Sequence, residues 1–197
     1  MKKNTRIAIF ISGTGSNALN MMRHFQYHEN IRIALIFSTR TNEIIENESR
    51  ERNIEFKVSE NNNGQWHELA IKYCENLKID FIVLAGFLKK IPSDLINKFP
   101  NRIVNIHPSL LPKFGGKGMY GKFVHEAVIS AGEKKSGITI HFVNEEFDEG
   151  EIIAQFETEL TEKDSPESVA DKIHILEMKY FPLVLEELLS NKNAPQL

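Results

Sequence analysis

Asn105 and His107 are the residues whose types and spacing most favour proton-transfer chemistry. They lie two positions apart at the end of an apolar run, so a strand would point both side chains to one face. A histidine exchanges a proton near neutral pH, and an asparagine amide can donate a hydrogen bond to an oxyanion. Ligands bind at the carboxyl ends of strands in open α/β sheets, so this pair predicts a catalytic site. The alternative is that His107 is a structural residue at a strand end.

A carboxylate could complete this pair. The segment 144–150 carries four carboxylates in a turn between two predicted strands, and Asp148 is the candidate for packing against His107. Such a contact would raise the pKa of His107 and fix its tautomer, because a nearby negative charge favours the imidazolium. A solvated acidic turn is the simpler interpretation for the other three carboxylates, Glu145, Glu146 and Glu149.

A glycine-bearing turn, SGTGSNA at 12–18, follows the first predicted strand and opens the first helix. Its glycines allow the backbone to aim N–H groups at an anion, and the helix dipole adds to the attraction, so a phosphate is the expected ligand. The glycine spacing also fits a dinucleotide-binding fingerprint, but the ribose-binding acid expected about 20 residues later is missing. Arg40 leaves an NADP alternative open, and a tight turn without a ligand is another.

Metal binding is not expected. His24 and His28 are four apart on a predicted helix, but no third ligand is evident. The remaining candidates are interpreted as surface or satisfied residues: His67, His125 and His141. The single cysteine, Cys74, cannot form an internal disulfide, which favours a reducing compartment.

The elements that must position these residues follow a β-α-β-α rhythm. Short apolar runs predict strands at 6–11, 32–37, 55–58, 80–86, 102–106, 138–143 and 151–157, and amphipathic stretches predict helices that include 65–77, 93–98 and 165–190. The run 80–86 suits a central strand, whereas His107-Pro108 is expected to leave the ladder. The sequence therefore predicts a Rossmann-like, doubly wound, mostly parallel α/β sheet with helices on both faces and an antiparallel C-terminal addition.

The composition restricts the function classes. The chain has 197 residues, 41% hydrophobic and 26% charged, with a net charge of −3, which fits one globular domain and gives no support to nucleic-acid or membrane binding. No apolar run approaches the length of about 20 residues that spans a bilayer. A cytoplasmic protein with small-molecule partners is expected, as a monomer or homodimer.

Five segments together resemble the phosphoribosylglycinamide formyltransferases, the folate-dependent formyltransferase family of purine synthesis. They are IFISGTGSN (9–17), VLAGF (83–87), NIHPSLLPK (105–113), GITIHFV (137–143) and DEGEIIAQ (148–155), in the family's order over essentially the whole chain. Formyl-methionyl-tRNA synthesis enzymes and formyltetrahydrofolate hydrolases look similar around NIHPSLLP. They carry an additional domain, however, for which this chain is expected to have no room.

The resemblance implies a single formyltransferase domain over 1–197, with a phosphate-binding N-terminal half and a folate-binding, catalytic C-terminal half. The implied reaction moves the formyl group of 10-formyltetrahydrofolate, the co-substrate, to the amine of glycinamide ribonucleotide without a metal. Asn105, His107 and Asp148 match the family's catalytic residues. Asn105 and protonated His107 would stabilise the oxyanion, and Asp148 would pair with His107.

The resemblance also implies the binding residues. The substrate phosphate would be held by Thr14, Gly15, Ser16 and Asn17. The folate pocket would be lined by Leu88, Lys89, Lys90, Ile91, Asn144, Glu145, Glu146 and Phe147. The glycinamide end would be approached by His174 and Glu177.

The chain departs from the family pattern in three places. Thr14 stands where many members have Asn, and no Arg is evident near Asn63-Gly64-Gln65, which leaves the preference for the folate tail open. The loop 113–122, KFGGKGMYGK, is longer than the common version, and its glycines predict a mobile lid.

Two other functions compete with formyl transfer. An NADP-dependent oxidoreductase would use the glycine turn for a pyrophosphate, and a nicotinamide titration would reveal it. A non-catalytic phosphosugar sensor would explain the turn but not the joint placement of Asn105, His107 and Asp148.

Overall fold

The computed structural model describes residues 4–59 and 65–190 of the chain. Asn63 and Gly64, near which the sequence shows no evident Arg for the folate, lie outside the described residues. The elements in chain order are β1 (Thr5–Ile11), α1 (Ser16–His24), β2 (Ile31–Ser38), α2 (Glu43–Glu51), β3 (Glu55–Val58), α3 (Trp66–Asn76), β4 (Phe81–Leu84), α4 (Ser93–Lys98), β5 (Ile103–His107), α5 (Lys122–Ser130), β6 (Lys135–Phe142), β7 (Ile152–Glu159) and α6 (Pro166–Ser190).

The strands form one sheet with the order β3-β2-β1-β4-β5-β6-β7. β1 pairs in parallel with β2 and β4, and β2 pairs in parallel with β3, whereas β6 is antiparallel to both β5 and β7. This arrangement confirms the predicted parallel sheet with an antiparallel C-terminal addition, and β4 occupies the predicted central place. The chain divides into two compact units, Met1–Ile103 with Leu185–Leu197, and Val104–Val184.

The first unit is built on the parallel strands. β1 reads TRIAIFI, and its residues from Ile7 to Ile11 are fully buried, as expected of a strand covered on both faces. Aromatic rings extend this core, since Phe10 contacts Phe37 and Phe87 at ring-centroid distances of 5.1 and 5.4 Å. The carboxyl end of β1 is thereby packed within an aromatic part of the core.

The second unit contains the antiparallel strands. β5 and β6 pair so that Asn105 lies opposite His141 and His107 opposite Thr139. The prediction that His107 leaves the ladder is wrong, because the residue before a proline is restricted to extended conformations that a strand already has. Pro108, which has no N–H to donate, is the first residue outside β5.

Two helices differ in how well the local sequence predicts them. α6 begins at Pro166 as predicted, and the N–H of Ser168 donates to the Ser165 hydroxyl at 3.3 Å as a helix cap. α5 was not predicted: it begins after Gly121 with no side-chain cap, and its sequence KFVHEAVIS is rich in β-branched residues. Among the described residues, no helix is both long and apolar enough to cross a bilayer.

Candidate active site

Two polar residues of β6 lie beside the two polar residues of β5. Asn105 and His107 alternate with buried apolar residues, so they lie on one face, and their cross-strand partners His141 and Thr139 lie beside them. His107, His141 and Thr139 are 3%, 2% and 0% exposed. The strands therefore supply a buried polar cluster in an otherwise apolar layer.

Asp148 lies against this cluster from the loop between β6 and β7. Its Oδ2 is 3.4 Å from Nδ1 of His107, and its Oδ1 is 3.5 Å from Nδ2 of Asn105. The N–H of Gly116 also donates to Oδ2, at 2.9 Å. The structure thus brings together the three residues predicted to be catalytic.

The loop that carries Asp148 is held in a tight conformation. Asp148 has a positive φ of 58°. A Cβ on Gly150 would lie 1.7 Å from the Phe142 carbonyl oxygen, so only glycine allows the chain to turn there. The backbone therefore fixes where the carboxylate is presented.

The His107 ring has an acceptor at each nitrogen. Nε2 lies 2.8 Å from the Phe114 carbonyl oxygen, to which it donates, and Nδ1 faces the Asp148 carboxylate. Both contacts are favourable together only when both nitrogens carry protons, which is the imidazolium form. The Nδ1 to Oδ2 distance of 3.4 Å exceeds an ordinary N–H···O hydrogen bond, so the Nδ1 proton is not fully engaged.

Burial opposes this charge. Burial lowers the pKa of His107 below its ordinary value, although the Asp148 charge and the Phe114 carbonyl act in the opposite direction and His141 adds to the lowering. The prediction of a raised pKa for His107 is therefore wrong: Asp148 acts as expected, but desolvation is larger. Burial raises the pKa of Asp148, yet interaction with His141, the His107 charge and the Gly116 N–H outweigh it, so the net pKa is lowered.

His141 belongs to this cluster, although the sequence suggested a surface or satisfied residue. Its Nδ1 donates to the Phe142 carbonyl oxygen at 2.8 Å, and its Nε2 lies 3.1 Å from Nδ2 of Asn105. Nε2 is also 3.6 Å from Oδ1 of Asp148. The sequence signal for this role was a histidine at a polar position of the alternating strand GITIHFV. Only the β5–β6 register shows that this position lies opposite Asn105.

His125 is a further buried histidine, on α5. It is 6% exposed, and within the described part of the chain its Nδ1 has no hydrogen-bond partner. Burial lowers the pKa of His125, and the charge of His107 lowers it further. His125 is therefore not a surface residue and favours the neutral form. His67, by contrast, is partly exposed and lies 3.3 Å from Asp94.

The predicted phosphate turn has the expected backbone geometry. Gly15 precedes α1 with a φ of 79° and no side-chain cap, and a Cβ there would lie 2.6 Å from Cγ1 of Ile45. The Asn42 side chain donates to the carbonyl oxygens of Gly13 and Thr14 at 3.3 and 3.1 Å. The Asn42 amide therefore fixes the direction of these two carbonyls at the start of α1.

Ser12 connects this turn to the segment after β4. Its hydroxyl oxygen accepts from the Leu88 N–H at 3.1 Å and from the Thr39 hydroxyl at 2.9 Å, and its own N–H donates to Gly86. Within 88–91 only Ile91 is buried, and Leu88 is exposed. The carboxyl ends of the neighbouring strands β1 and β4 thus meet at one edge, as the sequence predicted.

The other predicted binding residues are placed as follows. Asn144 accepts from the Glu146 N–H at 3.0 Å in a local turn, Glu145 and Glu146 are exposed, and Phe147 is partly buried. On α6, His174 is exposed and its Nδ1 is 3.9 Å from Oε2 of Glu177. Their roles stay predictions.

His24 and His28 share a partner that the sequence did not indicate. Nε2 of His24 is 2.6 Å from Oε2 of Glu186, and Nε2 of His28 is 3.5 Å from Oε1 of the same residue. In the described residues, no group of three or more His, Cys, Asp or Glu side chains is arranged to hold a metal ion.

The model of the formyl transferase family matches residues 5–185. The chain belongs to the formyl transferase family. The predicted resemblance to this family is thereby confirmed.

Among curated formyl transferases, the chloroplastic phosphoribosylglycinamide formyltransferase of Arabidopsis thaliana is 46% identical over 131 residues, which are 59% of this chain and 45% of that protein. The phosphoribosylglycinamide formyltransferase of Haemophilus influenzae is 32% identical over 186 residues, covering 92% of this chain and 85% of that protein. The chain spans less than half the length of the plant relatives, at 45% and 37%. It spans 65% of the Bacillus subtilis protein of the same name.

A solved structure supports the fold of the formyl transferase family for this chain. The phosphoribosylglycinamide formyltransferase from Bacillus halodurans matches with a TM-score of 0.84 and 31% identity, and the match covers 98% of each chain. The predicted α/β formyltransferase fold is therefore confirmed.

Proposed function

We propose that this chain transfers the formyl group of 10-formyltetrahydrofolate to the amine of glycinamide ribonucleotide. The products are formylglycinamide ribonucleotide and tetrahydrofolate, a step of de novo purine (IMP) biosynthesis. The observation that carries the proposal is the cluster of Asn105, buried His107 and Asp148, in which Asp148 lies 3.4 Å from His107 and 3.5 Å from Asn105, in a formyl transferase chain. The names of the relatives support the choice of acceptor.

The chemistry needs charge stabilisation and one proton transfer. The amine attacks the formyl carbon, the C=O electron pair moves to oxygen, and a tetrahedral intermediate forms. Asn105 and the Nδ1–H of protonated His107 donate hydrogen bonds to this oxyanion. Stabilisation of the developing charge by preorganised donors is usually the largest single contribution to an enzyme's rate enhancement. The intermediate collapses by breaking the bond to the folate nitrogen, which receives the proton lost by the amine through water.

Asp148 has an electrostatic role in this mechanism. Its charge favours the imidazolium of His107 against the desolvation that lowers the pKa of that ring. The carboxylate is itself ionised at neutral pH, because its pKa is below the ordinary value. His107 has to gain a proton to become the imidazolium, and the Asp148 charge offsets part of the desolvation that opposes this step.

The substrate-binding roles follow the sequence assignment. Thr14, Gly15, Ser16 and Asn17 would hold the 5′-phosphate, supported by the orientation of the turn carbonyls toward Asn42. Leu88, Lys89, Lys90 and Ile91, with Asn144, Glu145, Glu146 and Phe147, are assigned to the folate. His174 and Glu177 are assigned to the glycinamide end. A cytoplasmic, monomeric or homodimeric protein without a metal is part of the same proposal.

The test is an ultraviolet assay of 10-formyl-folate deformylation with and without glycinamide ribonucleotide. Turnover that depends on the ribonucleotide is expected. Turnover without it would identify a hydrolase. Turnover in neither tube would contradict the proposal and favour the NADP or sensor functions, which nicotinamide titration and phosphosugar binding then separate.

A further inference from the structure

The turn that follows His107 is held by side chains from two neighbouring strands. The turn comprises residues 109–113 and ends immediately before Phe114, whose carbonyl oxygen accepts from Nε2 of His107 at 2.8 Å. The position of that carbonyl therefore depends on how the turn is fixed.

Thr139 holds the turn from β6. Its hydroxyl donates to the Ser109 carbonyl oxygen at 2.6 Å, and accepts from the Leu111 N–H at 3.0 Å and from Nε2 of Gln155 at 2.9 Å. A hydroxyl has one donor and two acceptor lone pairs, so all its hydrogen-bonding capacity is used. Thr139 is also fully buried, which makes each of these bonds costly to lose.

Gln155 holds the turn from β7. Its amide donates to the Leu111 carbonyl oxygen at 2.9 Å as well as to Thr139, so both protons of Nε2 have protein acceptors. Leu111 is thereby bonded at both its N–H and its C=O. Gln155 itself lies on an exposed position of a strand that ends the sheet order.

Packing reinforces these bonds. The Ser109 hydroxyl donates to the Lys113 carbonyl oxygen at 2.7 Å across the turn. A Cβ on Gly115 would lie 2.5 Å from Leu111 and 3.2 Å from Cβ of Asp148, so the chain beyond the turn passes directly over the carboxylate. The turn thus connects the two partners of the His107 ring.

We propose that Thr139 and Gln155 are positioning residues for the formyl transfer proposed above, and that they act by clamping the turn 109–113. The clamp places the Phe114 carbonyl against Nε2 of His107, which directs Nδ1 toward Asp148 and the reacting oxygen. Neither residue contacts the reacting atoms in this scheme. The inference rests on the proposed function for its kinetic consequence, but not for its effect on the ring.

The decisive variant is Gln155→Leu, because an exposed residue of the outermost strand can lose its amide without unfolding the protein. Glu157→Gln is the matched control, since it changes an exposed polar residue on the same face of β7. A second pair is Thr139→Val, which removes the hydroxyl at nearly constant volume, and Thr139→Ser, which restores it.

Two readouts are measured on each protein. The first is kcat and KM for both substrates. The second is 15N-detected NMR of the His107 ring nitrogens as a function of pH, interpreted with the other groups that act on this ring: Asp148, His141 and His125. The NMR readout does not require turnover.

Gln155→Leu and Thr139→Val should lower kcat about tenfold with KM changed by less than about twofold, because a loosened catalytic group loses transition-state contacts and not ground-state binding. The His107 titration should move to lower pH in both, and Thr139→Ser and Glu157→Gln should match the wild type. Unchanged kcat in Gln155→Leu, or a lowered kcat with an unchanged His107 titration, would overturn the proposal. If the wild type itself has no transferase activity, the proposed function fails, while the NMR comparison still decides whether the clamp sets the ring.

Discussion

The cluster on β5 and β6 and the turn before α1 use opposite means. In the cluster, the atoms proposed to take part in the reaction belong to side chains, and the pKa values of His107 and Asp148 are both lowered from their ordinary values. In the turn, the atoms proposed to bind the phosphate are backbone N–H groups, and the conformation is held by Gly15 and by the Asn42 amide. Activity is therefore expected to depend on side-chain chemistry in the cluster and on backbone conformation in the turn.

The difference follows from what each ligand group requires. The charge of the phosphate group does not change during formyl transfer, so fixed dipoles are sufficient to bind it. A reacting carbonyl gains charge during the reaction, so its site needs groups whose ionisation is tuned. Substitutions should therefore affect kcat in the cluster and KM in the turn.

His107→Ala should have the largest effect. Removing the proposed oxyanion donor should lower kcat by about 10²- to 10⁴-fold, with little change in the KM for glycinamide ribonucleotide. Steady-state kinetics checks this. His67→Ala is the control, because His67 is a partly exposed histidine on α3, and it should keep wild-type kcat. A KM effect larger than the kcat effect in His107→Ala would place this residue in substrate binding.

Asp148→Asn should be the next largest. Loss of the charge should lower kcat/KM by about 10- to 100-fold and lower the pKa of His107 further, because the Asp148 charge is the largest of the interactions that oppose the effect of burial. Activity that needs the imidazolium is lost as pH rises through this pKa, so the alkaline side of the pH–rate profile should move to lower pH. Glu149→Gln, which changes the exposed neighbour, should leave the profile unchanged. An alkaline side that stays in place in Asp148→Asn would contradict the electrostatic role.

The same Asp148 carboxyl should be visible in acid unfolding. Its pKa is lowered in the folded protein, so its contribution to stability is present above the unfolded value of about 3.9 and is lost as pH falls through the folded value. The wild type should therefore lose more stability than Asp148→Asn between about pH 5 and the acid limit, as measured by urea unfolding at several pH values. Equal losses would show that the carboxyl gains nothing from folding.

Gly15→Ala tests the backbone side of the comparison. A Cβ 2.6 Å from Ile45 at a φ of 79° should cost about 1–3 kcal/mol of stability and raise the KM for the ribonucleotide, with kcat nearly unchanged. Gly13→Ala is the control, because a Cβ there has nothing within 4 Å. Thermal melts and steady-state kinetics of both variants check this. A kcat loss without a KM change in Gly15→Ala would erase the distinction between the two regions.

Asn42→Ala should give the smallest effect and isolates the hydrogen bonds of the turn. Asn42 caps α2 through the Ile45 N–H at 3.1 Å, so its loss should cost about 1 kcal/mol of stability and raise the KM for the ribonucleotide a few-fold. Ser165→Ala removes the cap of α6 at a similar cost and should leave KM unchanged. Equal KM values in the two variants would mean that Asn42 acts only as a cap.

Local sequence was sufficient for most of the fold. Apolar runs located the strands within a few residues, and the Ser165-Pro166 signal located the start of α6, because these patterns act over a few neighbouring residues. α5 escaped because it has no side-chain cap, contains β-branched residues and follows several glycines. Its helical conformation depends on burial of Val124 and Val128, which no local pattern reports.

The sequence by itself determined the chemical types in the site: a strand ending in Asn105 and His107, an acidic turn containing Asp148, and a glycine turn after β1. These follow from residue identity and from alternation within single segments. The tertiary structure decided the rest. The β5–β6 register brought His141 and Thr139 to the cluster, the turn 109–113 gave Nε2 of His107 its acceptor, and burial reversed the expected direction of the His107 pKa. Register, packing and desolvation arise between segments distant in the chain, and so they exist only once the chain is folded.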